Sequence, residues 1–355
     1  MSGATQIRGD VAWYKRLNHL KCTFEMSTKK VILLIPHAAR TGGPEALYQL
    51  SDSLIRQGID ARIWLVTSQD VERLEQARES DQYLLQGANT LTTRMEVFRD
   101  YVKYKFRLCT QIELDSDTTF VLPEVYTWAL PYFRRFSTVL WWLSVDNGLG
   151  ALSKINLNSL RAGGVRHVAQ SEYARKFLEA LGLSANMLSD YTLLSQRKTT
   201  PLDERPLKVC FNAGQKNIFN LDLIEANLKK QVPNLELVRI AKMSAAEVAD
   251  HFETTRLFVD LGQFPGKDRM IREALMLGSN VLIARAGAGA NDLDYRIPNA
   301  FKWNMKSLDE LISRTLTMVA KPGLHALYFD EIREDIAHEK EIFDSEVRTI
   351  FSSIT

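Results

Sequence analysis

The stretch 258–284 restricts the fold most strongly, because apolar runs and chain-breaking residues alternate within it. The apolar run 257–261 suits a strand that is buried on both faces of a parallel sheet. Pro265 ends that run, Asp268 is a favourable N-cap for a following helix, and Gly278 stands where a C′ glycine ends one. A strand, loop, helix and strand in this order predict a βαβ unit and therefore an α/β fold.

Charged residues lie close to the start of this predicted helix. Arg269, Arg272 and Glu273 are spaced i, i+3 and i+4, so they share the face opposite the apolar core side. A helix N-terminus attracts phosphate through its unpaired N–H groups and the positive end of its dipole. We therefore predict that this end binds an anion through Gly266, Lys267, Arg269 and Arg272. Glu273 is predicted to accept hydrogen bonds from ribose hydroxyls. The alternative is a solvated charged face on an ordinary βαβ unit.

A second apolar run, 31–35, predicts a buried strand that leads into the pair Gly42 and Gly43. The helix predicted after this pair ends near Gly58. The unit lacks the G-x-G-x-x-G spacing that a dinucleotide site needs, which disfavours a dehydrogenase. His37 follows the strand at its carboxyl end and is therefore a candidate acid or base. A structural or solvated histidine is the alternative.

Carboxylates follow predicted strands at two further places. Strand 119–123 ends in Glu124, and strand 138–144 is followed closely by Asp146. The carboxyl ends of parallel strands border the ligand-binding crevice of open α/β sheets. Glu124 and Asp146 are therefore candidates for a catalytic base or for holding substrate hydroxyls. Each is equally suited to cap the helix that follows it.

Composition excludes several classes of protein. With 355 residues, the chain has the length of two ordinary domains. A net charge of +2 argues against bulk nucleic-acid binding, which normally needs a clear basic excess. The 3 cysteines are widely separated, which fits a reducing compartment and neither a disulfide framework nor a metal cluster. The sequence shows no apolar leader and no membrane-spanning run, so we expect a cytoplasmic protein.

Basic and aromatic residues alternate from Arg94 to Arg107. This pattern predicts either a solvated amphipathic helix or a helix that contacts an anionic membrane or a polymeric partner. Peripheral contact with the inner face of the cell membrane therefore stays open as an interpretation.

The segment 260–281 resembles the donor-binding motif of GT-B-fold glycosyltransferases, close to the glycogen-synthase-like family 4 group. In that motif a strand ends in a loop containing glycine and proline, and a Glu-Ala helix closed by glycine precedes a valine-rich strand. Glu273, Gly278 and Val281 match this pattern. Glu273 corresponds to the second glutamate of the family's E-x7-E motif, whereas Pro265 stands where the first is expected. This departure argues against close membership of the group, so the group's stereochemistry carries over only weakly.

The resemblance implies two Rossmann-like domains that face each other across a cleft, and a C-terminal helix that crosses back to the first domain. The expected acceptor-binding domain is 1–195, the nucleotide-sugar-binding domain is 207–327, and the crossing helix is 328–355. A polar, proline-bounded linker separates the two domains. By the same resemblance, Lys216 contacts the donor diphosphate. Gly42 and Gly43 approach the donor phosphates or the acceptor, with turn geometry alone as the alternative.

The implied activity is transfer of a sugar from a nucleotide-sugar donor to a saccharide or lipid-linked acceptor. The sequence of 265–274 is similar to that of bacterial glycosyltransferases that build surface polysaccharide, such as capsule, O-antigen or lipopolysaccharide. No metal or other cofactor is expected, because cationic side chains and helix dipoles would meet the diphosphate charge. These side chains are Lys216, Lys267, Arg269 and Arg272. Retention of configuration is favoured by the family resemblance alone. A catalytically silent scaffold in a polysaccharide assembly complex and a nucleotide-sugar 2-epimerase are the alternatives.

Overall fold

Parallel β-sheets organise the chain in the computed structural model, which describes residues 30–36, 42–66, 70, 82–83, 101–109, 112–113, 117–193, 200–214 and 219–352. The strands are β1 (Lys30–Pro36), β2 (Asp60–Val66), β3 (Gln82–Tyr83), β4 (Ile112–Glu113), β5 (Thr118–Pro123), β6 (Ser137–Trp142), β7 (Val165–Ala169), β8 (Ala185–Met187), β9 (Lys208–Asn212), β10 (Glu236–Ile240), β11 (Leu257–Asp260), β12 (Asn280–Ala284) and β13 (Lys302–Trp303).

The α-helices lie mainly between these strands, as crossover connections in a parallel sheet require. They are α1 (Gly42–Arg56), α2 (Val145–Leu152), α3 (Leu157–Leu160), α4 (Glu172–Ala180), α5 (Leu221–Gln231), α6 (Ala245–Thr254), α7 (Arg269–Met276), α8 (Leu308–Ala320), α9 (Pro322–Ala326), α10 (Asp330–Ala337) and α11 (Glu339–Phe351). Segments of 3-10 helix span Glu124–Phe133, Leu202–Glu204, Gly287–Ala290, Asn299–Phe301 and Leu327–Phe329.

The first sheet has the strand order β2-β1-β5-β6-β7-β8, and the second has the order β10-β9-β11-β12-β13. Neighbouring strands in both sheets run parallel, with Val31 opposite Ala61 in the first and Phe258 opposite Val281 in the second. A small antiparallel pair, β3 and β4, stands apart from both. We call the part built on the first sheet the N-terminal domain and the part built on the second sheet the C-terminal domain. The predicted α/β class is confirmed.

Each face of the first sheet carries its own apolar core. Val31, Leu33 and Ile35 point to one face, and Ile32 and Leu34 to the other, and all five are essentially unexposed. Burial on both faces explains why β1 reads as a continuous apolar run. The C-terminal domain packs its strands and helices into one further core.

Local signals at the helix ends follow the sequence prediction closely. The Asp268 side chain accepts a hydrogen bond from the Met270 backbone N–H at 2.9 Å and caps α7. Gly278 follows the same helix with a φ of 84°, in the left-handed region that favours glycine.

The chain crosses back to the N-terminal domain at its C-terminal end, as predicted, but with a break in the helix. Ile332 and Ile336 of α10 belong to the core of the C-terminal domain. Phe343 and Val347 of α11 belong to the core of the N-terminal domain instead. His338 lies between these two helices, so only the second of them makes the return contact.

Candidate functional site

The loop after β11 touches the N-terminal domain directly. The backbone N–H of Val145 donates to the Pro265 carbonyl at 2.9 Å. The Lys267 N–H donates to Gln170 Oε1 at 2.8 Å, and Gln170 Nε2 donates back to the Lys267 carbonyl at 3.0 Å. A Cβ atom at Gly266 would lie 2.3 Å from the Leu143 carbonyl oxygen. Residue 266 must therefore be glycine for this close approach.

Arg272 of α7 is the most buried charged group at this contact, with a relative exposure of 2%. Its guanidinium donates to both oxygens of Asp190 at 2.9 Å and to Glu339 at 2.8 Å. Burial opposes the charge on Arg272, but the carboxylates of Asp190 and Glu339 raise its pKa above the ordinary value.

The partners of Arg272 come from the places where the chain passes between domains. Asp190 follows β8 just before the chain enters the C-terminal domain, and Glu339 begins α11 just after the chain returns. Lys267 also pairs with Glu339, at 3.2 Å. The alternative of a solvated charged face does not hold for Arg272, since this part of α7 faces the other domain. Phosphate binding by Arg272 stays a prediction, and it would compete with these ion pairs.

Arg269, one turn before Glu273, reaches the start of α1. It forms an ion pair with Glu45, and its Nε lies 3.5 Å from where a Cβ atom of Gly42 would be. Glu45 also pairs with Lys103 at 2.8 Å. The structure thus brings together Gly42 and Arg269, two of the residues predicted to meet an anion. Gly43 lies beside Leu143, at 3.7 Å from a hypothetical Cβ.

Glu273 faces the same region and is half-buried. Burial raises the pKa of its carboxyl group, and Arg269 acts in the opposite direction. Within the described ranges, no hydrogen bond and no ion pair reaches this carboxylate. A carboxylate that is partly removed from water and lacks a donor is a ready acceptor for ligand hydroxyls.

The two candidate bases, Glu124 and Asp146, differ in how far their carboxylates are exposed. Glu124 is only 3% exposed, and its carboxylate accepts a hydrogen bond from the Leu143 N–H at 3.0 Å. Burial raises the pKa of Glu124 to about 7. Asp146, in the first turn of α2, is half-buried and accepts a hydrogen bond from the Tyr173 hydroxyl at 3.2 Å. The geometry therefore gives Asp146 better access to a ligand than Glu124.

Two predicted residues, His37 and Lys216, lie outside the described residues, as does part of the basic and aromatic segment 94–107. In the part of the chain that is described, no group of three or more His, Cys, Asp or Glu side chains could hold a metal ion. No helix in those same ranges is long and apolar enough to cross a membrane.

Asp294, which no sequence pattern singled out, links the domains from the other side of the contact. Its carboxylate accepts hydrogen bonds from the backbone N–H groups of Glu172 and Tyr173 at 2.6 and 2.9 Å, so a C-terminal-domain residue caps the N-terminal-domain helix α4. Asp292 and Asp294 form an Asp-x-Asp pair, but Asp292 is bound to Lys302 at 2.7 Å. The two carboxylates therefore serve separate internal contacts.

The similarity of this chain to known proteins lies in its fold. No protein-family model and no curated protein matches the sequence. A mutant of TarM from S. aureus, solved with fondaparinux, α-GlcNAc-glycerol and UDP, aligns over 91% of this chain and 99% of its own, with 10% identity and a TM-score of 0.61. The apo form of the lipopolysaccharide outer core galactosyltransferase WaaB aligns over 92% and 99%, with 11% identity and a TM-score of 0.58. The chain has the GT-B fold.

The GT-B fold accounts for the features described above: two Rossmann-like domains, a cleft between the carboxyl ends of their strands, and a last helix that crosses back. A putative UDP-N-acetylglucosamine 2-epimerase from Listeria monocytogenes also aligns, over 85% of this chain and 90% of its own, with 13% identity and a TM-score of 0.50. One fold thus carries more than one reaction, and the residues of the cleft must decide between them.

Proposed function

We propose that this chain is a glycosyltransferase that moves a sugar from a nucleotide-sugar donor to a saccharide or lipid-linked acceptor. The GT-B fold supports the proposal, since proteins that share it include TarM, solved with UDP, and the galactosyltransferase WaaB. The single observation that carries it is the arrangement at the start of α7. Arg269 lies beside Gly42 across the cleft, and the carboxylate of Glu273, which has no hydrogen-bond or ion-pair partner among the described residues, follows one turn later.

This arrangement suits a nucleoside diphosphate in two ways. The start of α7 offers N–H groups and the positive end of a helix dipole, and Arg269 adds a full charge, so a diphosphate is attracted there. Glu273 is placed to accept hydrogen bonds from ribose hydroxyls one turn deeper along the helix. Bound in this way, the diphosphate would be stabilised as it leaves the sugar.

We propose Asp146 ahead of Glu124 as the carboxylate that contacts the acceptor. A general base must come within hydrogen-bond distance of the proton it takes, and Glu124 is buried against the Leu143 N–H. His37 stays a further candidate from the sequence. We also propose that no metal is essential, because Lys267, Arg269 and Lys216 would supply positive charge. Loss of transfer on adding EDTA, with recovery on adding a divalent ion, would refute that part.

Biosynthesis of surface polysaccharide at the cytoplasmic side of the membrane is the pathway that we propose. Two observations support this proposal. The sequence of 265–274 is similar to that of bacterial surface-polysaccharide transferases, and the chain shares its fold with WaaB, which acts on lipopolysaccharide outer core according to its name. Retention of configuration rests on the family 4 resemblance alone.

The first test is a melting panel with UDP, GDP, CDP, ADP and their sugars. A ligand at about a hundred times its Kd stabilises the folded protein by roughly 2.7 kcal/mol, which is readable as a shift in Tm. We expect one nucleotide to raise the Tm of the wild type, and Glu273→Ala to abolish that shift. Glu334→Ala is the matched control, because Glu334 is an exposed glutamate of α10 in the same domain. No shift with any nucleotide would refute the proposal.

A silent scaffold is the second candidate, and a specific observation favours it. Pro265 stands where the family motif has its first glutamate, and its carbonyl is occupied by the Val145 N–H. Slow hydrolysis of the matching nucleotide sugar by the protein alone would favour the transferase, whereas nucleotide binding without turnover of any donor would favour the scaffold. An NMR spectrum of the incubated donor would reveal an epimerised sugar directly.

A further inference from the structure

Glu45 places a negative charge in the middle of the proposed donor site. It lies in the first turn of α1, and it is the N-terminal-domain partner of Arg269. The side chains of this ion pair are largely buried, with 15% of Glu45 and 19% of Arg269 exposed. Arg269 therefore makes its strongest contact with a carboxylate of the other domain.

Further contacts hold the Glu45 carboxylate in this position. Lys103 pairs with it at 2.8 Å, and the Tyr104 hydroxyl donates to it at 2.7 Å. Gln49 Nε2 in turn donates to the Tyr104 hydroxyl at 3.3 Å. Burial alone would favour the neutral acid, but the charges of Arg269 and Lys103 lower the pKa of Glu45 to about 2. Glu45 is therefore an anion at neutral pH.

The surroundings of this anion are ones that a phosphate group would also favour. Glu45 lies in the first turn of α1, which begins at Gly42, and Arg269 is the first residue of α7, whose Met270 N–H is already capped by Asp268. The side chain of Arg269 lies along Gly42, where a Cβ atom would be 3.5 Å from Nε. A carboxylate that lies in the first turn of one helix and pairs with two cationic side chains has the charge and the partners of a bound anion.

We infer that Glu45 is an internal counter-anion, which neutralises Arg269 in the empty cleft and is displaced when the diphosphate of a nucleotide donor binds. This inference rests on the proposed function of the same site. A diphosphate carries more charge than one carboxylate and offers more acceptor oxygens, so it competes successfully for Arg269 and Lys103. The exchange costs part of the binding free energy, because Glu45 must give up its partners.

Removing the charge of Glu45 therefore strengthens nucleotide binding. In Glu45→Gln the shape of the side chain is kept, Tyr104 can still donate to it, and Arg269 and Lys103 lose their competing anion. We expect the Kd for the nucleoside diphosphate selected by the melting panel, and for inorganic pyrophosphate, to fall about tenfold or more. Affinity for the uncharged nucleoside should stay as in the wild type, since it carries no phosphate.

Calorimetric titrations of the wild type and five variants test this inference. Glu225→Gln is the matched control, because Glu225 forms an exposed ion pair with Arg239 at 2.6 Å on the C-terminal domain; its Kd should equal that of the wild type. Arg269→Gln should weaken diphosphate binding about tenfold, and the gain from Glu45→Gln should shrink in the double variant. Glu45→Asp, whose shorter carboxylate reaches Arg269 less well, should also bind more tightly than the wild type.

The outcomes separate this inference from the proposed function. A wild type that binds no nucleotide overturns both. A wild type that binds one, with Glu45→Gln and Glu45→Asp binding equally or more weakly, overturns the counter-anion alone and makes Glu45 an organiser of Arg269. Tighter binding of the uncharged nucleoside by Glu45→Gln would also overturn it, since the gain would then come from an opened cleft.

Discussion

Replacing Arg272 by methionine tests the ionic contact between the domains. The change removes the only described cation that binds both Asp190 and Glu339, and it leaves these carboxylates buried. Breaking a buried ion pair in this way costs about 3–5 kcal/mol. Asp190 keeps the hydrogen bond from Gln170, and Glu339 keeps Lys267 and the Thr192 N–H. We therefore expect a value near the lower limit of that range.

A loss of about 3 kcal/mol corresponds to a fall in Tm of roughly 6 °C for domains of this size. Differential scanning calorimetry at pH 7 measures it. The control is Arg239→Met, which removes an exposed arginine paired with Glu225 and should cost less than about 1 kcal/mol. Adding Asp190→Asn to Arg272→Met removes the stranded charge of Asp190, while Glu339 keeps its pair with Lys267, and should restore at least half of the lost Tm. An Arg272→Met protein that melts within about 1 °C of the wild type would refute the reasoning.

Three further predictions concern single contacts described above. Gly266→Ala puts a Cβ atom 2.3 Å from the Leu143 carbonyl oxygen, so the loop after β11 must move. We therefore expect a lower Tm and weaker nucleotide binding, and an unchanged Kd would contradict this. Asp294→Ala removes a carboxylate that accepts from the first two N–H groups of α4, whose Ser171 cap remains, and should lower the free energy of unfolding by about 1 kcal/mol, measured in urea. An effect no larger than that of an exposed Asp→Ala change would count against this interdomain contact. Glu124 has a folded pKa of about 7, above its ordinary value, so the folded state binds the extra proton and wild-type stability falls as pH rises toward 7. Glu124→Gln should remove that slope, worth on the order of 2–3 kcal/mol between pH 4.5 and 8, and an unchanged slope in calorimetry would exclude Glu124 as its source.

The sequence predicted the parts of this fold that follow local rules. The cap at Asp268 and the glycine at Gly278 each act within one turn of α7, so their spacing alone is informative. The partners of Arg272 gave no such signal, because Asp190 and Glu339 lie 82 and 67 residues away along the chain. The sequence therefore predicted an anionic ligand for Arg272, whereas its described partners are carboxylates buried between the domains.

Glu45 escaped prediction for a different reason. An acidic residue in the first turn of a helix is already explained by the helix dipole, and this local explanation hid the contact with Arg269. Glu273 shows the opposite case, since the family motif singled it out and the structure leaves its carboxylate without a described partner. The candidate site was thus predictable where its residues lie on one helix, and not where contacts between two domains decide the position of a side chain.

The return of α11 to the N-terminal domain affects how the protein can be made. Phe343, Val347, Ile350 and Phe351 fill the core of the domain that contains β1, although they follow the whole C-terminal domain along the chain. On the ribosome, the apolar face that they cover therefore stays open until the C-terminal domain has been synthesised. A chain that stops at His338 would keep all the described strands, and yet it would expose the core of the N-terminal domain.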